Sequence, residues 1–314
     1  VSSSSSAWEG KRTLVSGATG FIGQHLVRRL VGAGAQVWAG VFAGEAVERV
    51  NALPQEAMGI PLDVRDADAV RRAIEASSPS VVFHLAAIGV TDPNGDPHDA
   101  LAVNVGGTLH LLDALSRAGC DRAVLVGTCY EYGSREAREA LDPFNFYAAS
   151  KVAAWAFARA YWHVVQLPVV VARPFQVYGP GQARETLIPS AIRAALTGAD
   201  FPMTPGEQRR DFILVDDVVT GLLASATAPG AEGQSLDLGT GRGTPVRQVV
   251  ETIWDLTDAQ GRVLPGALPY RPGAPMTLAA DAEHTERLIG WRARTPLRAG
   301  LQTTITQFSQ GQNL

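Results

Sequence analysis

"TLVSGATGFIGQHLVRRLVGAG" occupies residues 13–34 and reads as one strand, one glycine turn and one helix. "TLVSG" is short, apolar and rich in β-formers, the pattern of a buried strand. "QHLVRRLVGAG" repeats Leu26, Val27, Leu30 and Val31 along one helical face. Between them lies "GATGFIG" (17–23), with Gly17, Gly20 and Gly23. Glycines at a strand–helix junction let the backbone turn tightly and approach a pyrophosphate. The helix N-terminus adds unpaired N–H groups and the positive end of its dipole. The spacing G-x-x-G-x-x-G departs from the common G-x-G-x-x-G, so on its own the turn also fits a simple packing junction.

The same alternation continues down the chain. "QVWAGV", "SVVFHLAA", "RAVLVGT" and "PVVVARPF" read as strands. "AVRRAIEAS", "ALAVNVGGTLHLLDALSRAG" and "FYAASKVAAWAFARAYWHVV" read as the helices between them. Strand–helix repetition of this kind predicts an α/β fold: a doubly wound parallel Rossmann sheet with helices on both faces and a smaller C-terminal substrate-binding lobe. The expected division is a disordered tail over 1–10, a dinucleotide-binding domain over 11–172, and a lobe over 173–314 from which parts of 211–241 return to the sheet.

Composition narrows the function. The chain has 314 residues, 46% hydrophobic and 18% charged content, and a formal net charge of −4. No basic excess is available to neutralise a nucleic-acid backbone. No apolar run is long enough for a membrane span, and "VSSSSSAWEGK" has neither the basic start nor the apolar middle of a signal peptide. Cys120 and Cys129 form no metal-ligand or disulfide pattern, so a reduced, cytoplasmic protein without a metal is expected.

Lys11 and Lys151 are the only lysines among 27 Lys+Arg. Lys151 lies four residues after Tyr147, one helical turn away on the same face. A free phenol has a pKa of about 10, and a neighbouring ammonium should lower it into use as an acid or base. A compact ammonium also reaches ribose hydroxyls where an arginine fork does so less readily. Asp63 in "LDVRD" (62–66) could accept from an adenine amino group or be an exposed loop residue. The second strand ends "VWAGVFAGE" with neither an acid nor an arginine at its tip. Glu45 comes late and reads as a surface residue, so NAD and NADP both stay open.

Taken in order, "GATGFIG", "DVRD", "HLAA" (84–87), "NVGGT" (104–108), "GTCYEYG" (127–133) and "YAASK" (147–151) resemble the short-chain dehydrogenase/reductase superfamily, in its extended branch acting on nucleotide sugars. The resemblance runs from about Arg12 to Leu301. It implies that Thr128 holds the reacting sugar oxygen, Tyr147 is the acid/base, and Lys151 binds the nicotinamide ribose. It further implies cofactor contacts at Gly17, Gly20, Phe21, Ile22, Gly23, Asp63, Val64, Leu85, Ala86, Ala87 and Asn104. Glu131 is expected to be a structural carboxylate capping a turn.

The resemblance extends to the substrate half. "RPFQVYGPGQ" (173–182) places Gln176 where the family has asparagine. "QRRDFILVDDVV" (208–219) and "YRPGAP" (270–275) offer Arg210 and Arg271 to a diphosphate, whose oxygens a guanidinium fork matches. Related dehydratases carry an Asp-Glu pair straight after the threonine. Cys129 and Tyr130 stand there instead and are poor replacements for paired carboxylates, so dehydration is disfavoured. "VGTCYEYG" and "RPFQVYGPGQ" resemble segments of reductases of nucleotide-linked 4-keto-6-deoxy sugars, which implies reduction of an NDP-4-keto-6-deoxyhexose by NAD(P)H. The alternatives are a 4-epimerase with tightly bound NAD and, less favoured, a non-catalytic dinucleotide sensor. The branch also implies a homodimer through the helices containing Asn104 and Tyr147, to which Ala153, Trp155, Ala156, Phe157 and Trp162 would offer apolar surface. The loop over 87–97 departs from the family's pattern and is expected to touch the sugar.

Overall fold

The computed structural model describes residues 7–133, 141–271 and 273–310. Seven parallel strands form the central sheet: β1 (Arg12–Ser16), β2 (Gln36–Val41), β3 (Met58–Pro61), β4 (Val81–His84), β5 (Arg122–Val126), β6 (Val169–Pro174) and β7 (Ser235–Leu238). Their spatial order is β7-β6-β5-β4-β1-β2-β3. The order reverses between β1 and β4, where Ser16 pairs with His84. At such a switch point the crossovers diverge to opposite faces and leave a crevice at the strands' C-terminal ends. That crevice is where the glycine turn lies.

Helices α1 (Phe21–Gly32), α2 (Ala67–Ser77), α3 (Gly107–Ala118), α4 (Phe146–Val165) and α5 (Val215–Thr227) cover the sheet. Val15, Leu26, Val27, Leu30, Val218 and Leu222 pack on one face, and Val70, Ile74, Leu111, Leu115 and Val169 on the other. A separate apolar cluster around Tyr178, Ile192, Val249, Ile253 and Leu301 lies outside the sheet. Short strands tie that region together: Gln176–Tyr178 pairs with Phe212–Leu214, and Arg209–Arg210 pairs with both Thr244–Pro245 and Thr277–Leu278.

Two expectations change here. The tail expected over 1–10 gives way to packed chain by Trp8, which is 3% exposed and sets its ring 6.0 Å from that of Phe83; residues 1–6 lie outside the described residues. The helix expected through "ALAVNVGGTLHLLDALSRAG" is not uniform. A short helix (Pro97–Ala100) passes into a π-type turn (Leu101–Gly106) before α3 begins. Asn104 explains the break: its side chain is turned inward and hydrogen-bonded to chain outside the helix, and Thr108 Oγ1 donates to its backbone carbonyl at 2.6 Å. Among the described residues no helix is long and apolar enough to cross a membrane, and no cluster of His, Cys, Asp and Glu could hold a metal.

Candidate active site

The glycine turn is built for close backbone approach. Gly17 has φ +68°, and a Cβ there would lie 2.6 Å from the Ala86 nitrogen. A Cβ on Gly23 would lie 2.1 Å from the Gly17 carbonyl oxygen. Gly20 caps α1 without any side-chain hydrogen bond, so the first-turn N–H groups at Phe21 and Ile22 have no capping oxygen. Glycine-lined backbone, an uncapped helix start and the adjoining Leu85–Ala86 segment form a cradle that fits a dinucleotide pyrophosphate. Asp63 lies at the far edge, with its carboxylate held low by the bidentate Arg65 guanidinium. Val64 is buried beneath it.

A buried polar chain links this turn to α4. His84 is 3% exposed, and burial, then the Lys151 charge, push its imidazole down to about 3. The ring is therefore neutral. Thr108 spends its proton on the Asn104 carbonyl, so His84 Nε2 donates to Thr108 Oγ1 at 3.2 Å, and Nδ1 accepts from Ser16 Oγ at 2.7 Å. Asn104 Oδ1 accepts from the Ile88 N–H at 2.9 Å, and Nδ2 donates to the Ile88 carbonyl and to Ser150 Oγ at 2.8 Å. Ser150 Oγ donates to the Tyr147 carbonyl at 2.8 Å. Asn104 thus anchors both the 88–96 loop and the first turn of α4.

Thr128, Tyr147 and Lys151 come together at the ends of β5 and α4, and all three are buried. Asn145 caps α4, its Oδ1 accepting from the Ala148 N–H at 2.7 Å. The Thr128 hydroxyl acts on the Tyr147 phenol in the direction that favours the phenolate. Burial and then the Glu131 charge outweigh it and push the phenol above its ordinary value. Lys151 donates to the Val126 carbonyl at 2.8 Å and is lowered to about 8 by burial, with Glu131 pulling the other way. The expectation of a phenol acidified by Lys151 is therefore reversed in this cleft: desolvation dominates, and the ammonium is engaged by backbone.

Tyr147 also lines a cleft of about 220 Å³ with Phe146 and with Ile88, Thr91, Asp92, Asp96 and Asp99. Its N–H donates to the Pro93 carbonyl at 3.1 Å, and Gly89 backs onto its ring, since a Cβ there would lie 3.2 Å from Cδ2. The unfamiliar 87–97 loop is thus a wall of this site. Sequence reading expected this loop at the sugar but named none of its side chains; tertiary placement brings Asp92 and Asp96, with Asp99 and Phe146, beside the phenol.

Behind Thr128 lies a buried charged group. Glu131 accepts from the Thr128 N–H and from Arg173, and the Arg173 guanidinium stands over the Tyr132 ring at 5.2 Å. Tyr132 donates to Asp237 Oδ1 at 2.7 Å, and Asp237 Oδ2 accepts from the Asp281 N–H at 3.0 Å. Asp237 is raised to about 6, chiefly by burial. Beyond Tyr132 opens a cleft of about 1090 Å³ lined by Phe175, Thr240, Arg242, Arg292 and the 273–283 segment. Arg210 borders it, donating to the Pro275 carbonyl at 2.7 Å. Arg271 is exposed, and its charge reaches Tyr130, as does that of Arg210. Gln176 lies on the strand beside Phe212 and is half-buried. The 129 and 130 positions hold no carboxylate: burial, its largest cause, raises Cys129 to about 12 and likewise raises Tyr130.

Fold and site together define a dinucleotide-dependent enzyme of the extended short-chain dehydrogenase/reductase type. Residues 13–239 match the NAD dependent epimerase/dehydratase family, and the chain belongs to it. It is 32% identical to a UDP-glucose 4-epimerase of Mycolicibacterium smegmatis, over 95% of this chain and 98% of that protein. It is 31% identical to a probable dTDP-glucose 4,6-dehydratase of Sinorhizobium fredii, over 95% of this chain and 92% of that protein. A solved UDP-glucose 4-epimerase of Thermotoga maritima, with UDP-glucose, superposes with a TM-score of 0.88 at 25% identity, covering 96% of this chain and 99% of the other. The family acts on nucleotide sugars, and its relatives here are epimerases and dehydratases.

Proposed function

We propose that the chain is an NAD-dependent 4-epimerase of a nucleotide-linked hexose. The observation that carries this reading is the meeting of Thr128, Tyr147 and Lys151 beside the glycine cradle, with no carboxylate pair at 129 and 130. NAD, when bound, supplies the hydride acceptor and donor. Tyr147 takes the proton of the sugar 4-hydroxyl and later returns it, and Thr128 holds that oxygen throughout. Lys151 holds the nicotinamide ribose. Asp63, Val64, Leu85, Ala86 and Ala87 form the adenosine and ribose side of the cofactor cleft. Gln176, Arg210 and Arg271 face the nucleotide diphosphate. The 4-keto reductase favoured by sequence reading has weaker support, because its epimerase alternative agrees with the relatives reported above.

The deciding experiment is incubation with UDP-glucose and UDP-galactose, following C4 inversion by NMR, with the NAD released on denaturation quantified in parallel. Inversion with NAD close to one per chain supports the reading. Net consumption of NADH or NADPH by a 4-keto sugar, without inversion, overturns it in favour of the reductase.

The homodimer belongs to the same reading, with a narrower basis than the sequence suggests. Trp155 Nε1 donates to Ser235 Oγ at 2.8 Å, and Trp162 packs so closely on Gly233 that a Cβ there would lie 2.3 Å from its ring. Both tryptophans are used within the chain. Phe157 and Leu101, 42% and 58% exposed, are among the apolar residues left to cover, with Phe146, Val164 and Val165 also exposed on α4. Phe157→Glu should convert a dimer to a monomer in light scattering.

A further inference from the structure

The two short strands of the substrate half leave their ribbon at one histidine of the cofactor helix. Gln176–Tyr178 pairs with Phe212–Leu214. The first strand runs out through Gly179 and Pro180, and the second runs directly into α5 at Val215 and Asp216. A Cβ on Gly179 would lie 2.6 Å from Val215 Cγ1, so the two exits are pressed together. His25 of α1 reaches both. Its Nε2 lies 2.9 Å from the Pro180 carbonyl oxygen, and its Nδ1 lies 3.3 Å from Asp216 Oδ1. The same ring meets Phe21 edge to face, with centroids 5.8 Å apart. Phe21 opens the first turn of α1, directly after the glycine cradle.

Carbonyl and carboxylate oxygens only accept. A ring with both nitrogens facing acceptors must donate twice, which only the imidazolium does. The Asp216 carboxyl is held below its ordinary value, first by the hydrogen bond from His25. A neutral ring that keeps its proton on Nε2 for Pro180 turns a lone pair toward Asp216 instead. Among the described residues, the charged groups at this junction are Asp216 from α5 and Arg29, one turn further along α1, whose charge also reaches Asp216. The 179–182 loop contributes the Pro180 carbonyl.

We propose that His25, in its charged form, is a positioning residue that clamps both exits of the substrate ribbon to the cofactor helix, and that a neutral ring holds them less firmly. Gln176 rides on the first strand, and Arg210 stands just ahead of the second. The clamp therefore fixes where these side chains stand relative to the cradle. Histidine changes charge between about pH 5 and pH 8, so the clamp responds to pH. Only the role of Gln176 and Arg210 toward a nucleotide sugar depends on the proposed epimerase. The clamp itself needs no substrate.

The test is hydrogen–deuterium exchange on the full chain at about pH 5.5 and pH 8, corrected for the intrinsic pH dependence of amide exchange. In wild type, protection of segments 178–184 and 215–220 should rise at the lower pH relative to the core strand Arg122–Val126. The expected gain is about threefold, the scale of a partly exposed ion pair. His25→Gln should abolish the gain. Asp216→Asn should flatten it, because an amide can turn to serve either form of the ring. That second variant changes a side chain 69% exposed, so it keeps the test open if His25→Gln fails to fold. Wild-type protection that ignores pH, or an undiminished gain in either variant, overturns the proposal. A gain confined to 215–220 also overturns it, since His25 would then make an ordinary ion pair at a helix start.

Discussion

Glu131 accepts the Thr128 backbone N–H at 2.8 Å through Oε1 and Arg173 Nε at 2.7 Å through Oε2. One fully buried carboxylate thereby fixes the threonine's turn to the end of β6. Beside Arg173 in the sheet register stands Asp237, which Tyr132 joins to the same group. Removing one partner of such a pair leaves a buried charge uncompensated. Glu131→Ala should therefore cost about 3–5 kcal/mol in urea unfolding. Glu131→Gln should cost less, because an amide oxygen can still accept from Thr128. If Glu131→Ala unfolds at the wild-type urea midpoint, the pair does not hold the turn.

Tyr147→Phe removes one oxygen from a ring already packed against Gly89, so the fold should be kept. Loss of a positioned acid/base is expected to lower kcat by about 10²–10⁴, with NAD binding near wild type in fluorescence titration. Wild-type turnover in this variant would remove Tyr147 from the chemistry.

Lys151 provides a pH signature. Its folded pKa is lowered, from 10.5 to about 8, chiefly by burial. Between those values the unfolded chain binds more protons than the folded one, so stability rises with pH across that window. Below it the buried ammonium carries its full desolvation penalty. The unfolding free energy of wild type minus that of Lys151→Met should therefore increase between about pH 8 and pH 10. A flat or falling difference in paired urea titrations would show that Lys151 is not desolvated.

Much of this was legible because local chemistry announces it. Glycines before an apolar helix, and a tyrosine one turn before a lone lysine, are short-range patterns that survive without coordinates. What sequence hid is long-range. Glu131 and Arg173 are 42 positions apart, and nothing near either names the other. Asn104 stood out in sequence as a site candidate, but its partners did not: its amide spans Ile88 and Ser150, 16 and 46 positions away. Glu45 follows the tip of β2, and only the structure shows the turn that brings its carboxylate to Thr19, 26 positions away. The sign of the Tyr147 shift was misread for a related reason: spacing suggests a neighbouring charge but does not show burial, and in this cleft burial, then the Glu131 charge, raises the phenol.

The relatives include dehydratases, so the fate of the sugar's 6-position discriminates between chemistries on one scaffold. Eliminating water requires a base to take a carbon-bound proton and an acid to protonate the leaving hydroxyl. Efficient groups for this have pKa values near the working pH. At 129 and 130 this chain has a thiol raised to about 12 and a phenol raised from 10.0, both chiefly by burial. Neither is ionised near neutrality, and no carboxylate replaces them there. The chain is therefore expected to return dTDP-glucose without loss of a water mass in mass spectrometry, with or without added NAD. Cys129→Asp with Tyr130→Glu would put two acids into a buried apolar cluster with Tyr132, Phe175 and Leu278, so it should lower Tm before it confers activity. A dehydrated 4-keto product from wild type would mean that acid and base come from elsewhere in the cleft, with Asp92, Asp96 and Asp99 beside Tyr147 the first residues to substitute.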